Sequence, residues 1–294
     1  YNQLTKEVHS PLSMGIDLRS AEYAYDEFGN ITDVTRTDSS GKVTKNRYVY
    51  SDKTGWQDLL TSYNGHTITY DEIGNPLSYY NGKNYSFVWE FGRQLCRSTS
   101  GGTDITYDYN KYGIRTDKTV KGKYTDSYIL DGDRVIGMER TKSGSSVKDV
   151  YHFMYDEMGN IWLALCYIGG STTPVRYYYR TNAQGDVKQI VDKDNNIIAY
   201  YAYDAWGRTL AILDGNDDPI TNASHFAIVN PFRYRGYVYD NETGFYYLRS
   251  RYYDPEIGRF INADGYVTTD IEPVAMNMFA YCNNCPVDSA DYYG

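Results

Sequence analysis

Residues 230–264 read NPFRYRGYVYDNETGFYYLRSRYYDPEIGRFINAD, and no other stretch of the chain is so densely patterned. Tyrosines, arginines and glycines alternate through it, and two tyrosine-rich runs flank the sequence DNETG at residues 240–244. Glycine adopts without steric cost the positive φ that a tight turn requires. The pattern therefore predicts a β-hairpin with its turn at residues 240–244, followed by a Tyr-Asp pair that leads into the apolar run Phe260-Ile261.

A six-residue unit, YDExGN, recurs in the sequence before this stretch. It appears as YDEFGN at residues 25–30, as YDEIGN at 70–75 and as YDEMGN at 155–160, and YDAWGR at 203–208 is a variant of it. Weaker copies fill the intervals, and the aromatic anchors of neighbouring copies lie mostly 19 to 25 residues apart. Regular spacing of one short unit is typical of a repeat protein.

The residues between these units alternate as they do in β-strands. Tyr151, Phe153 and Tyr155 would lie on one face of a strand, since side chains two apart point the same way. In the turns, the Asp can accept hydrogen bonds from backbone amides and the Gly can take the left-handed conformation. We predict an all-β fold: a long antiparallel meander of hairpins over residues 1–229 and a β-rich core domain over 230–294. Residues 213–229 are interpreted as a connecting loop, and a short helical turn is predicted within 273–281.

Composition and charge exclude some classes of function. The 294 residues include 35 tyrosines and carry a formal net charge of −9, with a pI near 5.0. A chain this acidic would repel a polyanion, so no nucleic-acid partner is predicted. The longest apolar run, residues 161–168, is too short for a membrane span. Because the sequence opens on Tyr1 and shows no signal peptide, we interpret it as a fragment of a longer protein.

Motifs of familiar enzymes, metals and cofactors are absent from the sequence. The four histidines are scattered without ligand spacing, and no P-loop, GxGxxG or GxSxG motif is present. Cys282 and Cys285 form a CxxC that could be structural, a disulfide, or a metal or redox site; no second CxxC accompanies it. We predict no cofactor and no metal.

The motif at residues 230–264 resembles the core domain of RHS/YD-repeat proteins, whose pattern is close to NPFRYRGYYYD…TGLYYLRARYYDP..GRF. The resemblance is nearly residue for residue over about thirty positions, and the YD units before it fit the same family. It implies that the meander forms part of a curved spiral shell. It also implies a C-terminal toxin domain of the same polypeptide as partner, a preceding YD-repeat segment or another shell subunit, and a secreted or cell-surface location.

Self-cleaving members of this family use two aspartates and an arginine, and the resemblance carries these roles to Asp264, Asp291 and Arg251. Arg251 lies in the run matching LRARYYDP, and Asp264 follows Gly258-Arg259-Phe260. Asp291 lies in the terminal PxxxxDxxG, which begins at Pro286 and ends at Gly294, the predicted cleavage-site motif. Here Gly follows Asp264 and Tyr follows Asp291, where the family has Pro in both places. The alternative is that both aspartates only cap turns.

Two functions follow from the resemblance. In the first, the chain is part of a toxin shell that encloses a C-terminal toxin domain and releases it by aspartic self-cleavage near Gly294. Any enzymatic activity would then be a single-turnover reaction without an external substrate. In the second, the chain is a non-catalytic surface module for adhesion, with tyrosine faces that stack on carbohydrate.

Overall fold

The computed structural model describes residues 2–10, 16–52, 55–266, 273–291 and 294. Strand occupies 50% of the chain and helix 5%, which confirms the predicted all-β fold. The strands are β1 (Lys6–Val8), β2 (Leu18–Tyr25), β3 (Ile31–Asp38), β4 (Val43–Tyr50), β5 (Leu60–Tyr63), β6 (His66–Thr67), β7 (Thr69–Tyr70), β8 (Pro76–Tyr80), β9 (Asn84–Glu90), β10 (Gln94–Ser100), β11 (Thr103–Tyr109), β12 (Arg115–Val120), β13 (Tyr124–Asp131), β14 (Arg134–Lys142), β15 (Lys148–Tyr155), β16 (Ile161–Tyr167), β17 (Val175–Thr181), β18 (Val187–Val191), β19 (Ile197–Tyr203), β20 (Thr209–Leu213), β21 (Val238–Asp240), β22 (Phe245–Leu248), β23 (Arg251–Asp254) and β24 (Arg259–Phe260). Two four-residue helices, α1 (Phe226–Val229) and α2 (Pro273–Met276), and the 3₁₀ turns Tyr234–Gly236 and Cys282–Asn284 complete the described elements.

The chain divides into two compact units, each built from separate segments. The first comprises Tyr1–Phe87, Ala202–Ala211 and Gly244–Gly294, and the second comprises Val88–Tyr201 and Ile212–Thr243. The division of the sequence into a repeat domain and a core domain at residues 229/230 stays a prediction.

Each unit is an antiparallel meander in which consecutive strands pair. In the first unit, β1 to β6 follow in order, β7, β8 and residues 84–87 of β9 do the same, and β22 to β24 form a third run. In the second unit, β10 to β18 and residues 197–201 of β19 pair in order. Antiparallel strands joined by tight turns need no crossover helix, which explains why the described helices are so short.

The YD units form the turns that the sequence predicts. In the copy at residues 70–75, Asp71 Oδ1 accepts hydrogen bonds from the amides of Ile73 (3.0 Å) and Asn75 (2.8 Å). The Asn75 side chain donates to Asp71 Oδ2 at 2.8 Å, and Gly74 has φ +84°. One carboxylate thus binds both the backbone and the last side chain of its own turn, and this local network explains the recurrence of the unit.

Every second side chain of a strand lies on the face that is buried in the core. In β15, Tyr151 and Phe153 are 3% and 4% exposed, whereas His152 and Met154 point outward. Tyr155 is half-buried and its hydroxyl donates to the Val135 carbonyl. Aromatic rings of neighbouring segments meet edge to face, as Phe153 and Phe232 do with centroids 4.8 Å apart.

The segment predicted as a loop, residues 213–229, contains the helical turn α1. His225 precedes this turn, and its Nδ1 accepts a hydrogen bond from the amide of Ala227 at 3.2 Å. The apolar run that follows His225 buries Phe226, Ala227 and Val229. A capping side chain before a short apolar run is enough for a single turn, which is why the loop prediction was wrong here. Helix α2 lies where the sequence predicts a helical turn.

Candidate functional site

Arg251 opens β23 and is the centre of the candidate site. It pairs across the hairpin with Leu248 of β22, and its side chain is 6% exposed. The guanidinium carbon lies 3.5 Å from the centroid of the Phe260 ring, and Nη1 donates to the Met278 carbonyl at 3.1 Å. The aromatic face and the carbonyl hold the guanidinium plane, because both interactions depend on its orientation.

Asp264 and Asp291 both contact the same nitrogen of this guanidinium. Arg251 Nη2 lies 3.1 Å from Asp264 Oδ2 and 3.2 Å from Asp291 Oδ2. The distance between Asp264 Oδ2 and Asp291 Oδ2 is therefore no greater than the sum of these two distances. One positive charge between the two offsets the repulsion that would otherwise separate them. About a quarter of each aspartate side chain is exposed, 27% and 26%, so water can reach both.

The remaining oxygen of each carboxylate accepts a backbone hydrogen bond. Asp264 Oδ1 accepts from the Tyr266 amide and Asp291 Oδ1 from the Gly294 amide, both at 2.9 Å. Each aspartate thus also caps a local turn, as the alternative interpretation expects. A turn cap alone does not require Arg251, however, and the contact with Arg251 is what brings the two acids together.

Gly294 packs tightly against the end of the β22–β23 hairpin. Its φ is +82°, and a Cβ built on it would lie 2.2 Å from the Leu248 carbonyl oxygen. The Ser250 hydroxyl donates to the Gly294 carbonyl oxygen at 2.9 Å. Only glycine fits this position, because any side chain would overlap the backbone of the hairpin.

Two YD turns of the first unit position the segment that carries the acids. The Ala263 amide donates to the Gly74 carbonyl at 3.1 Å, and the neighbouring Asp264 amide donates to Met278 at 2.9 Å. Asn277 and Asn284 reach the other turn: their Nδ2 atoms donate to Asn30 Oδ1 (2.8 Å) and to the Gly29 carbonyl (2.6 Å). The repeat turns thus supply backbone and amide partners that fix the chain on either side of α2.

All three residues that the resemblance assigned to catalysis lie together, although 40 residues separate Arg251 from Asp291. Pro286 is buried in the turn-rich segment before Asp291, and Gly294 lies against the hairpin. Sequence reasoning missed Ser250 and Phe260. The signal for Ser250 was present, because it stands where the family pattern has alanine.

The cysteines and histidines in the described part of the chain show no sign of a second site. No disulfide bond joins the four cysteines, and Cys285 Sγ lies 3.5 Å from Asp288 Oδ2. Burial raises the pKa of the Cys166 thiol to about 12, which keeps it protonated and unreactive near neutral pH. Within the part of the chain that the structure describes, no three His, Cys, Asp or Glu side chains group as metal ligands. Over the same residues, no helix has the length and apolar character to cross a membrane.

Several known proteins are similar to this chain in sequence. The tRNA3(Ser)-specific nuclease WapA of Bacillus spizizenii is 35% identical over 293 residues, which is 99% of this chain and 11% of that protein. Double-stranded DNA deaminase toxin A of Burkholderia cenocepacia is 25% identical, covering 95% of this chain and 19% of its own length. The probable deoxyribonuclease RhsA of Dickeya dadantii is 23% identical over 89% of this chain and 20% of that protein. Relatives of this chain are WapA and Rhs proteins. They agree with the RHS-type toxin family that the sequence resembles, although no family model matches the chain.

Solved structures of a toxin complex have the same fold. The crystal structure of TcdB2-TccC3-TEV superposes with a TM-score of 0.74 at 18% identity, over 93% of this chain and 13% of that one. TcdB2-TccC3 without its hypervariable C-terminal region gives 0.73 at 17% identity, over 100% of this chain and 15% of that one. The chain thus spans 11–20% of the length of these relatives and neighbours.

Proposed function

We propose that this chain is part of a toxin shell that encloses a C-terminal toxin domain and cuts it free near Gly294. The observation that carries the proposal is the contact of Asp264 and Asp291 with one nitrogen of Arg251. A surface module has no need for two partly exposed carboxylates held on one buried guanidinium beside a tightly packed glycine.

Two neighbouring carboxylates can hydrolyse a peptide bond when they share one proton. The ionised acid takes a proton from the attacking water, and the protonated acid donates its proton to the carbonyl oxygen. As the carbon–nitrogen bond breaks, the leaving nitrogen takes the proton that came from the water, and the hydroxyl formed at the carbonyl oxygen returns its proton to the second acid. Arg251 would keep the two acids close in spite of their charges. Asp291 lies three residues before Gly294 and accepts a hydrogen bond from its amide, so a scissile bond close after Gly294 would be held in cis at high effective concentration. One turnover releases the downstream segment.

The shell role is supported by fold and by relatives. The meander superposes on toxin-complex structures, and the relatives have names such as nuclease, deaminase toxin and deoxyribonuclease. In this proposal the partners are the toxin domain that follows Gly294 and a YD-repeat segment or shell subunit before residue 1. The complete protein would then act outside the cell that makes it.

The carbohydrate-binding alternative depended on exposed tyrosine faces. Many tyrosines of the alternating faces are instead buried in the core, among them Tyr79, Tyr85, Tyr107 and Tyr151. Buried rings cannot stack on a sugar, and no specific observation favours adhesion.

The test expresses the full chain with its native downstream segment and follows its size on a gel. Asp264→Asn and Asp291→Asn each remove a carboxylate but keep its shape, and each should leave the chain whole. Asp288→Asn is the matched control, since this exposed acid of the same segment does not contact Arg251, and it should be cut like the parent. Asp270, a control suggested by the sequence, lies outside the described residues. Cleavage that persists in both acid variants would remove the protease function and leave a scaffold.

A further inference from the structure

A cavity of about 370 Å³ lies within the second unit, where its sheet meets the segment that carries α1. Tyr151 of β15, Cys166 of β16 and Tyr177 of β17 line it from the sheet, and Phe226 of α1 completes the wall. Sites for small molecules typically have volumes of roughly 300 to 1,000 Å³ and mostly apolar walls. The cavity is therefore large enough for a ligand with one or two rings.

Three aromatic rings form the apolar wall of this cavity. Tyr177 and Phe226 stack with centroids 4.4 Å apart and planes inclined by 8°, and the Tyr151 ring lies 6.2 Å from Phe226 at 20°. Tyr151 and Phe226 are 3% and 7% exposed, so packing holds both rings in place. A planar aromatic ligand is favoured beside such rings, because aromatic groups stack with offset and nearly parallel planes.

Two hydroxyl groups of this wall are available to a ligand. Those of Tyr151 and Tyr177 make no hydrogen bond with any residue that the structure describes. Burial raises the pKa of both phenols, so each keeps its proton and can donate. A ligand with an oxygen acceptor would satisfy donors that the protein itself leaves without a partner.

Cations outnumber anions around the cavity. Lys123, Arg140 and Lys142 line it, together with one acid, Asp149. Arg140 is already bound to both oxygens of Asp126 at 2.6 and 2.7 Å, and Lys142 Nζ lies 3.5 Å from Asp149 Oδ2. Lys123 is exposed and forms no ion pair within the described part of the chain. In a chain with a net charge of −9, this local positive charge favours an anionic ligand.

We propose that the cavity binds a small planar aromatic carboxylate, with its ring beside Phe226 and its carboxylate toward Lys123. The hydroxyls of Tyr151 and Tyr177 would donate hydrogen bonds to the ligand. A neutral aromatic compound would leave the lysine unused, and an inorganic anion would leave the rings unused. This inference goes beyond the proposed function and does not depend on it, because no residue of the cavity belongs to the candidate site.

The test titrates the full chain with 2-naphthoate by isothermal titration calorimetry. We expect saturable one-to-one binding with a Kd below about 1 mM, a range open to a ligand of roughly a dozen non-hydrogen atoms. The amide of the same acid, 2-naphthamide, keeps the planar shape without the charge and should bind at least about fivefold more weakly. Added salt should weaken the binding of the carboxylate and leave that of the amide nearly unchanged.

Two variants test the polar groups of the cavity. Lys123→Gln should weaken 2-naphthoate binding about two- to fivefold, as expected for an exposed charge. Lys121→Gln is the matched control, since this exposed lysine lies two residues earlier and does not line the cavity. Tyr151→Phe keeps the ring and should weaken binding roughly three- to tenfold, without lowering the melting temperature, because the lost hydroxyl has no partner in the free protein.

A third variant fills the mouth of the cavity. Ser224 is exposed and lines the cavity, so Ser224→Trp should abolish binding at unchanged stability. Thr221→Trp places the same ring three residues earlier, at an exposed position outside the lining, and should bind like the parent. If Ser224→Trp melts early, Lys123→Gln and Tyr151→Phe decide the question.

Three outcomes would overturn the proposal. The first is that 2-naphthoate shows no saturable binding, and the second is that 2-naphthamide binds as tightly as the acid. The third is parental affinity in a folded Ser224→Trp variant, which would place the ligand elsewhere. Selective loss in the Ser224, Tyr151 and Lys123 variants, with parental melting temperatures and unaffected controls, would support the assignment of the ligand to this cavity.

Discussion

At the scale of single residues, burial changes what an aspartate does. Asp254 ends β23 and is 1% exposed. Its Oδ2 accepts hydrogen bonds from the Tyr79 hydroxyl (2.9 Å) and Asn81 Nδ2 (2.8 Å), and its Oδ1 accepts from the Glu256 amide. Burial nevertheless raises the pKa of Asp254 to about 7, because desolvation of the charge outweighs these donors.

This pKa predicts a pH-dependent effect of Asp254→Asn. An ordinary Asp in the unfolded chain titrates near 4, so the folded state binds the proton more tightly and loses stability as pH rises from about 4 to about 7. The variant lacks this loss. Its free energy of unfolding relative to the parent should therefore rise by several kcal/mol, at most roughly 4, from pH 4 to pH 8. Urea unfolding at several pH values measures the difference, with Asp218→Asn in an exposed loop as control. A difference that does not change with pH would contradict the buried, protonated acid.

At the scale of elements, a strand is stabilised by the face that it buries. Strand β15 shows this most simply, with Tyr151 and Phe153 inward and His152 and Met154 outward. The alternation was readable from the sequence because the side-chain period of a strand is two. The degree of burial of each side chain was not readable from the sequence, since Tyr155 continues the alternation but is only half-buried.

The stability lost when a side chain of β15 is truncated to alanine should therefore depend on the face of the strand that it occupies. Phe153→Ala removes a ring that is 4% exposed and contacts Phe232, and we expect a loss of about 3 kcal/mol or more in the free energy of unfolding. Met154→Ala, the next residue, is 41% exposed and should change stability little. Tyr155→Ala should fall between them. Urea denaturation gives all three values, and equal losses for Phe153 and Met154 would mean that the two faces are not distinguished.

At the scale of the whole molecule, each compact unit joins segments that are distant in sequence. In the second unit, Arg115 of β12 donates to both oxygens of Asp240 at 2.6 and 3.1 Å. Lys118 lies 3.4 Å from Asp240 and 3.1 Å from Glu242, and its neighbouring charge lowers the pKa of Glu242 to about 2 in spite of burial. These buried ion pairs link Asp240 and Glu242 to β12, which precedes them by more than a hundred residues.

Removal of Arg115 should leave the buried Asp240 carboxylate with Lys118, 3.4 Å away, as its remaining ion-pair partner among the described residues. Arg115→Met is expected to cost about 3 to 5 kcal/mol in the free energy of unfolding, because the Asp240 carboxylate keeps its desolvation penalty. Arg97→Met breaks an exposed pair with Asp104 and should leave the melting temperature nearly unchanged. Thermal melts of both variants make the comparison. A mild effect of Arg115→Met would show that Lys118 alone satisfies Asp240.

The sequence by itself determined the strands, the turns and the identity of the candidate site residues. Period-two alternation and the chemistry of an Asp and a Gly in a turn act within a few residues. The turn that contains Asp71 and Gly74 can therefore be predicted from the local sequence alone. The candidate roles of Arg251, Asp264 and Asp291 followed from the resemblance of their motifs.

Only the tertiary structure decided which distant groups meet. Asp264 and Asp291 contact one nitrogen of Arg251 although they lie 13 and 40 residues after it, and no local pattern encodes those contacts. The contact of Ser250 with Gly294, 44 residues later, has the same origin. The raised pKa of Asp254 also needed the fold, because desolvation is set by all the segments that surround a group and not by its neighbours in sequence.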